Sequence, residues 1–154
     1  MIACAMSPQA KRQGAGDAAV GGHWLVKQEP ESYSWADFER DRRTSWDGVR
    51  NYQARNNLKG MRPGDPVLFY ESGEGKSVVA VAKVTKAAYP DPTADEPAWV
   101  SVELETVRRL ARPVPLAQIK ADPALAGVIL VRHSRLSVMP LTHVEFEHIV
   151  KLGG

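Results

Sequence analysis

Cysteine is nearly absent from this chain: Cys4, in the opening segment, is the only one. A lone thiol closes no internal disulfide and excludes a cysteine-built metal cage, so nothing requires an oxidising compartment. Long hydrophobic runs are missing too. The apolar opening Met1–Met6 is shorter than a signal-peptide core, and no stretch approaches the roughly 20 apolar residues of a membrane span. The expectation is a cytoplasmic protein with no membrane partner. Metal ligands in a recognisable pattern are also lacking. His23, His133, His143 and His148 form no i,i+4 pair and no HExxH, and His143 and His148, five apart, fall on different helix faces. No Gly-x-Ser-x-Gly elbow is present either, which leaves metal-dependent and serine-nucleophile chemistry without support. Nor is there a large excess of one charge. The 20 Lys and Arg against 18 Asp and Glu give a net charge of +2, too small to announce a polyanionic partner by itself.

What is present suits one folded core. The 154 residues fit a single domain, and 44% hydrophobic with 25% charged residues is ordinary for a globular chain. Residues 1–22, rich in Ala and Gly and without periodicity, are expected to be a disordered leader, with the domain running from 23 to 154. His23–Val26 reads as a buried strand ended by Pro30. Ser34, with Asp37 three positions on, predicts a capped helix over about 35–42 carrying Trp35 and Phe38 on one face. A loop through Trp46-Asp47-Gly48-Val49-Arg50 leads to a second helix over about 51–59, with Asn51 as N-cap and Gly60 as a left-handed stop. Pro63-Gly64-Asp65 turns the chain into Val67–Tyr70, and Ser72–Gly75 makes a hairpin with Ser77–Lys86. Tyr89–Pro97 reads as a proline-stiffened loop. Trp99–Leu110 alternates apolar with polar residues as a half-buried strand does, until Pro113 and Pro115 break the pattern before a short helix near 116–120. Val128–Val131 is a further apolar run, and Thr142 with Glu145 caps a final helix that stops at Gly153. Strands outnumber helices and most connections are of hairpin length. The fold class this predicts is α+β, a half-open β-barrel with short flanking helices.

Gly75-Lys76-Ser77 ends like a phosphate-binding loop, but the glycine that motif needs earlier is Tyr70, so a turn between strands is the better reading. Polar and aromatic residues concentrate in three places instead: Lys27–Pro30, Trp46–Asn57 and Phe69-Tyr70. Aromatic rings offer stacking faces to a base, amides and carboxylates pair with its edge, and arginines hold phosphates. Each feature also has an ordinary explanation. Trp24 and Trp35 suit a core, Trp46 beside Asp-Gly suits pocket or core, Lys27 with Glu29 can be a surface pair, and Arg50 and Arg55 can be solvated or salt-bridged.

His23–Pro30, Trp46–Leu58, Ala88–Thr93 and Arg135–Val138 resemble, in order, the hallmark blocks of the EVE domain family, from about residue 23 to the C-terminus. Gln28 stands where serine is commoner after the lysine, and Glu71 stands where histidine follows Phe-Tyr. The resemblance implies a PUA-like fold related to YTH domains, and a non-catalytic module that reads a modified base, such as methylated or hydroxymethylated cytosine, in RNA or DNA. It implies no cofactor and no metal. It places Lys27, Glu29 and Pro30 on one wall of an aromatic pocket, Trp46 with the Gly48, Val49, Arg50 and Asn51 backbone on another, and Phe69 and Tyr70 on the adjoining strand. Tyr52, Arg55, Tyr89, Arg135 and Ser137 complete the expected ligand-binding set. Two rivals are a nucleobase hydrolase using Lys27 and Glu29, which as i and i+2 can share a strand face, and a protein-binding adaptor whose rings are only packed core.

Overall fold

Trp24, Leu25 and Val26 are buried in succession, the pattern of a strand covered on both faces, and they open β1 (Trp24–Gln28). The computed structural model describes residues 22–73, 75–133 and 135–154, so the expected leader, apart from Gly22, lies outside the described residues. Pro30 sits in the first turn of the short helix α1 (Pro30–Tyr33), where its missing N–H costs nothing. Ser34 then caps α2 (Trp35–Asp41) with the reciprocal bonds expected of it: Ser34 Oγ accepts from the Asp37 N–H, and Asp37 Oδ2 accepts from the Ser34 N–H. β2 (Arg43–Trp46) and α3 (Tyr52–Gly60) follow, with Asn51 Oδ1 accepting from the Ala54 N–H as N-cap. The chain continues through β3 (Pro66–Glu71), β4 (Ser77–Pro90), β5 (Val100–Pro115), α4 (Leu116–Ala121), a 3-10 turn at Pro123–Leu125, α5 (Ile129–Arg132), β6 (Val138–Pro140) and α6 (His143–Leu152).

The six strands form one mixed sheet in the order β2-β5-β4-β3-β1-β6, open at both edges. β1 and β3 pair in parallel, which requires a long crossover, and the segment between them supplies it by running to the far edge of the sheet to lay β2 against β5. The other pairs are antiparallel. Register shifts recur along β4 and β5, at Val78/Ala80, Val81/Ala82, Val84/Lys86 and Lys86/Tyr89. Such irregularities bend and twist long strands, so the sheet curls without closing. α2 packs an aromatic cluster onto it: Trp35 and Phe38 meet Phe69 of β3 at ring-centroid distances of 5.3 and 5.9 Å. The α+β class and the partly open sheet stand as expected.

Several local expectations need correction. The stretch through Trp46 is not all loop, because Arg43–Trp46 pairs with β5 as an edge strand. Four residues rich in polar side chains carry too little alternation to announce a strand. β5 runs past Leu110 and through Pro113, and ends at Pro115 directly before α4. β2 covers only Val102–Glu105 of it, so farther along that side is a sheet edge, where a proline's missing N–H breaks no ladder bond. Tyr89 and Pro90 belong to β4 rather than to a loop. Gly60 is not a left-handed stop either. It is the last helical residue, Met61 caps the helix with φ −73°, and a Cβ on Gly60 would lie 3.1 Å from Trp24 Cη2. Close approach of Trp24, not a positive φ, asks for glycine there. Gly75-Lys76-Ser77 is the turn it was expected to be, with Ser77 opening β4.

Candidate functional site

The site begins where the end of β1 and the end of β2 face a common cleft of about 510 Å³, lined by Gln28, Tyr33, Arg43, Thr44, Ser45, Trp46 and Asp47. That size lies within the range of small-molecule pockets. Gln28 is held by its own backbone, since Oε1 accepts from the Glu29 N–H at 3.1 Å. The Tyr33 hydroxyl donates to Asp41 Oδ2 at 2.8 Å, and Arg43 reaches Glu103 and Glu105 at 3.4 and 3.2 Å. The Tyr89 hydroxyl donates to Ser45 Oγ at 2.8 Å, and Lys86 Nζ stands 4.5 Å from the Tyr89 ring centroid. Donors, acceptors and one indole therefore converge on a mostly polar cavity, an arrangement that can hydrogen-bond the edge of a flat heterocycle.

Trp46 contributes little open surface to it. The residue is 6% exposed and packs edge-on against Phe69 at 5.9 Å, with Phe38 at 6.4 Å. Phe69 is fully buried and Tyr70 nearly so. Phe69 braces Trp46 from within the core, and neither Phe69 nor Tyr70 offers an open face to a ligand. Lys27 Nζ lies 5.8 Å from the Tyr70 ring, and partial burial pulls the Lys27 pKa below its ordinary value and pushes that of Tyr70 above it. Glu29 lies past the end of β1 and is exposed, and Pro30 starts α1, so the shared strand face on which Lys27 and Glu29 were to pair ends at Gln28.

The backbone wall is built by a residue outside the expected set. Asp91, whose side chain is fully buried, accepts from the Gly48 N–H (2.9 Å), Arg50 Nη1 (3.0 Å), the Thr93 N–H (2.7 Å) and the Thr93 hydroxyl (2.6 Å). Burial alone would raise its pKa. The bonds from Thr93, Gly48 and Arg50 outweigh that and hold it at about 2. Gly48 has φ +77° with open space where a Cβ would be, so glycine serves the backbone conformation there. Val49 is half-buried at the edge of the core. The signal for Asp91 was present in Tyr89-Pro-Asp-Pro-Thr93, an aspartate between prolines, which is residue chemistry suited to fixing a turn.

The remaining expected residues fall in three other places. Asn51 and Arg135 line a smaller cleft of about 300 Å³ with Gln53, His133 and Leu136. Ser137 is placed by its backbone, its carbonyl accepting from the Lys27 N–H at 2.9 Å. Tyr52 and Arg55 project from α3 beside Trp99, which reads in the sequence as the first residue of an alternating strand but in the structure lies just before β5. Among the described residues no group of three or more His, Cys, Asp or Glu could hold a metal ion, and no helix is long and apolar enough to cross a membrane.

An open, curled mixed sheet with short helices at its rim, and a polar cleft backed by packed rings, defines a small α+β binding module. The chain belongs to the EVE domain family, whose model matches residues 22–152. It is 35% identical to human thymocyte nuclear protein 1 over 167 residues, covering 86% of this chain and 74% of that protein. A crystal structure of an Agrobacterium tumefaciens protein matches with a TM-score of 0.83 at 40% identity, covering 88% of this chain and 94% of the other. The human THYN1 protein in complex with 5-methylcytosine-containing DNA matches with a TM-score of 0.80 at 34% identity, covering 88% and 98%.

Proposed function

We propose that this chain is a non-catalytic reader of nucleic acid that holds one modified base, a methylated or hydroxymethylated cytosine, in the cleft between Gln28 and Trp46. The observation that carries the reading is the similar human protein in complex with 5-methylcytosine-containing DNA, at 34% identity over 88% of this chain. The cleft supports it chemically. The Gln28 amide, the Asp47 carboxylate and the Ser45 hydroxyl offer the donors and acceptors that a cytosine edge needs, and the margin of Trp46 gives an apolar contact for a 5-substituent. Filling an apolar niche with one methyl group is worth about 1–3 kcal/mol, or roughly 10- to 200-fold.

The test compares short DNA and RNA oligonucleotides that differ only in one central cytosine, unmodified, 5-methylated or 5-hydroxymethylated, by fluorescence anisotropy. A modified form should bind at least several-fold more tightly, and the nucleosides should come back intact after prolonged incubation. Equal affinity for all three would end the reader assignment. Release of a free base, abolished by Lys27→Ala, would replace it with a hydrolase.

A further inference from the structure

Tyr52 is the first residue of α3 and 62% exposed, yet its ring is not loose. It stacks on Trp99 with centroids 4.9 Å apart and planes 28° from parallel. Trp99, 8% exposed, anchors the pair in the fold, and its carbonyl accepts from the Asp91 N–H at 3.0 Å. Two guanidinium groups flank the rings. Arg50 lies 5.6 Å from the Trp99 centroid and Arg55 lies 5.0 Å from that of Tyr52. A single exposed apolar side chain is ordinary, but a braced ring pair with a cation over each member is not explained by core packing.

The two arginines differ in a way that bears on the ligand. Arg50 gives its charge to Asp91 at 3.0 Å. Arg55 is held by neutral acceptors, Asn56 Oδ1 at 2.8 and 3.2 Å and the Ala98 carbonyl at 3.4 Å, so among the described residues no carboxylate within ion-pair distance cancels its charge. An exposed, braced π surface with an uncancelled cation at it matches a nucleobase and its phosphate, the Arg55 guanidinium passing from the ring to the phosphate as the base takes its place. The cleft is near. Asp47 lines it, and Tyr52 lies five positions on, a stretch of chain that spans at most about 18 Å.

We propose that Tyr52, braced by Trp99, is a second stacking site that takes an unpaired base neighbouring the one in the cleft, with Arg55 on the phosphate between them. The inference rests on the reading that the cleft holds a nucleotide of a longer strand. It makes the preferred ligand a single strand or a locally opened duplex, since a base inside an intact stack has no free face to offer. Because every base has a π face, this second contact adds affinity with little sequence preference.

The experiment uses the full chain with Tyr52→Leu, which keeps an apolar contact with Trp99 but offers no ring, and Tyr52→Phe, which keeps the ring. Each is titrated with the nucleoside 5-methyldeoxycytidine and with single-stranded DNA of about seven nucleotides bearing one central 5-methylcytosine. The leucine variant should bind the nucleoside as the parent does and lose about 5- to 150-fold in affinity for the oligonucleotide, and the phenylalanine variant should recover it. An unchanged oligonucleotide affinity overturns the proposal, as does an equal loss for the nucleoside, which would put Tyr52 in the cleft itself. If the parent shows no preference for the modified cytosine but the leucine variant still loses oligonucleotide affinity, the stacking site stands and the modified-base reading falls. Should the leucine variant melt early, photo-crosslinking from a 5-iodouracil next to the central base decides, with attachment to Tyr52 expected and attachment elsewhere contrary.

Discussion

Asp91 collects four hydrogen bonds on two carboxylate oxygens, and its depressed pKa makes the arrangement testable by pH. The folded value is about 2 against 3.8 for the free group, so as pH falls the unfolded chain takes up the proton first. Stability from this group is therefore full above about pH 4 and lost as pH drops toward about 2. Thermal melts across that window should show this component in the parent and lack it in Asp91→Asn, whereas an identical acid profile for both would mean that the charge of Asp91 contributes nothing. Asp91→Ala strands the Gly48 and Thr93 donors and should cost about 1–3 kcal/mol at neutral pH. Trp46 shows where residue-level reading stops. Its neighbours Asp47 and Gly48 read as a polar loop, but burial of the indole against Phe38 and Phe69 depends on partners 8 and 23 positions away in the chain, which no local pattern reveals. Trp46→Ala should accordingly cost about 3–5 kcal/mol of stability. Trp46→Phe retains most of the packing, so a loss of ligand affinity in that variant, with the melt preserved, is the sharper measure of any direct contact.

Elements with a chemical start or stop were legible. Ser34 with Asp37 and Thr142 with Glu145 each marked a helix start that the structure completes with both reciprocal bonds, and the β3–β4 hairpin followed from its turn residues. β2 and β6 were not legible, because short edge strands are defined by the partner they pair with rather than by their own periodicity. Glu71 illustrates the same point for charge. The sequence sets it directly after Phe69-Tyr70 of the expected pocket, as an acid at the pocket's rim, but Oε2 accepts from the Trp35 N–H at 2.8 Å, at the N-terminus of α2. Glu71→Ala should therefore destabilise the fold by about 1 kcal/mol, as loss of a helix cap does, and leave the salt dependence of oligonucleotide binding unchanged. A shift in that dependence with no change in the melt would return Glu71 to the rim. Gly60 gives a prediction of opposite sign to simple propensity. Alanine in a helix is worth about 0.8–1.0 kcal/mol over glycine, yet here its Cβ would press on Trp24, whose Nε1 is tied to Asp65 Oδ2 at 3.0 Å and cannot easily swing away. Overpacking costs about 1–3 kcal/mol, so Gly60→Ala should lower the melting temperature, and a rise would show that Trp24 yields.

For the whole molecule, the topology explains why the expected site residues were individually sensible and spatially divided. The crossover from β1 to β3 carries Trp46, Gly48, Tyr52 and Arg55 along one continuous stretch, and a sequence block that is continuous reads as one pocket. In the structure that stretch turns from an edge strand through the Asp91-bound loop into α3, which distributes its side chains between the cleft and the Tyr52–Trp99 stack. Charge is divided in the same way. Arg40, Arg43, Arg50, Lys83 and Arg109 each lie against a carboxylate, whereas Arg55, beside the stack, does not. Each phosphate neutralised contributes about 0.7 to the slope of log affinity against log salt for a single strand and about 0.9 for a duplex. With Arg55 and one or two further cations engaged, the slope for a single-stranded oligonucleotide should lie between about −0.7 and −2, far shallower than that of a protein which grips many phosphates. Arg55→Ala should weaken all oligonucleotides alike and flatten the slope by about 0.7, leaving base preference unchanged, because phosphate contacts position a strand while base-edge contacts choose it. Titrations from about 50 to 300 mM salt measure both quantities. A parent slope steeper than about −4 would reveal a phosphate-binding surface wider than the cleft and the Tyr52–Trp99 stack, and a changed base preference in Arg55→Ala would move that guanidinium from the backbone to the base.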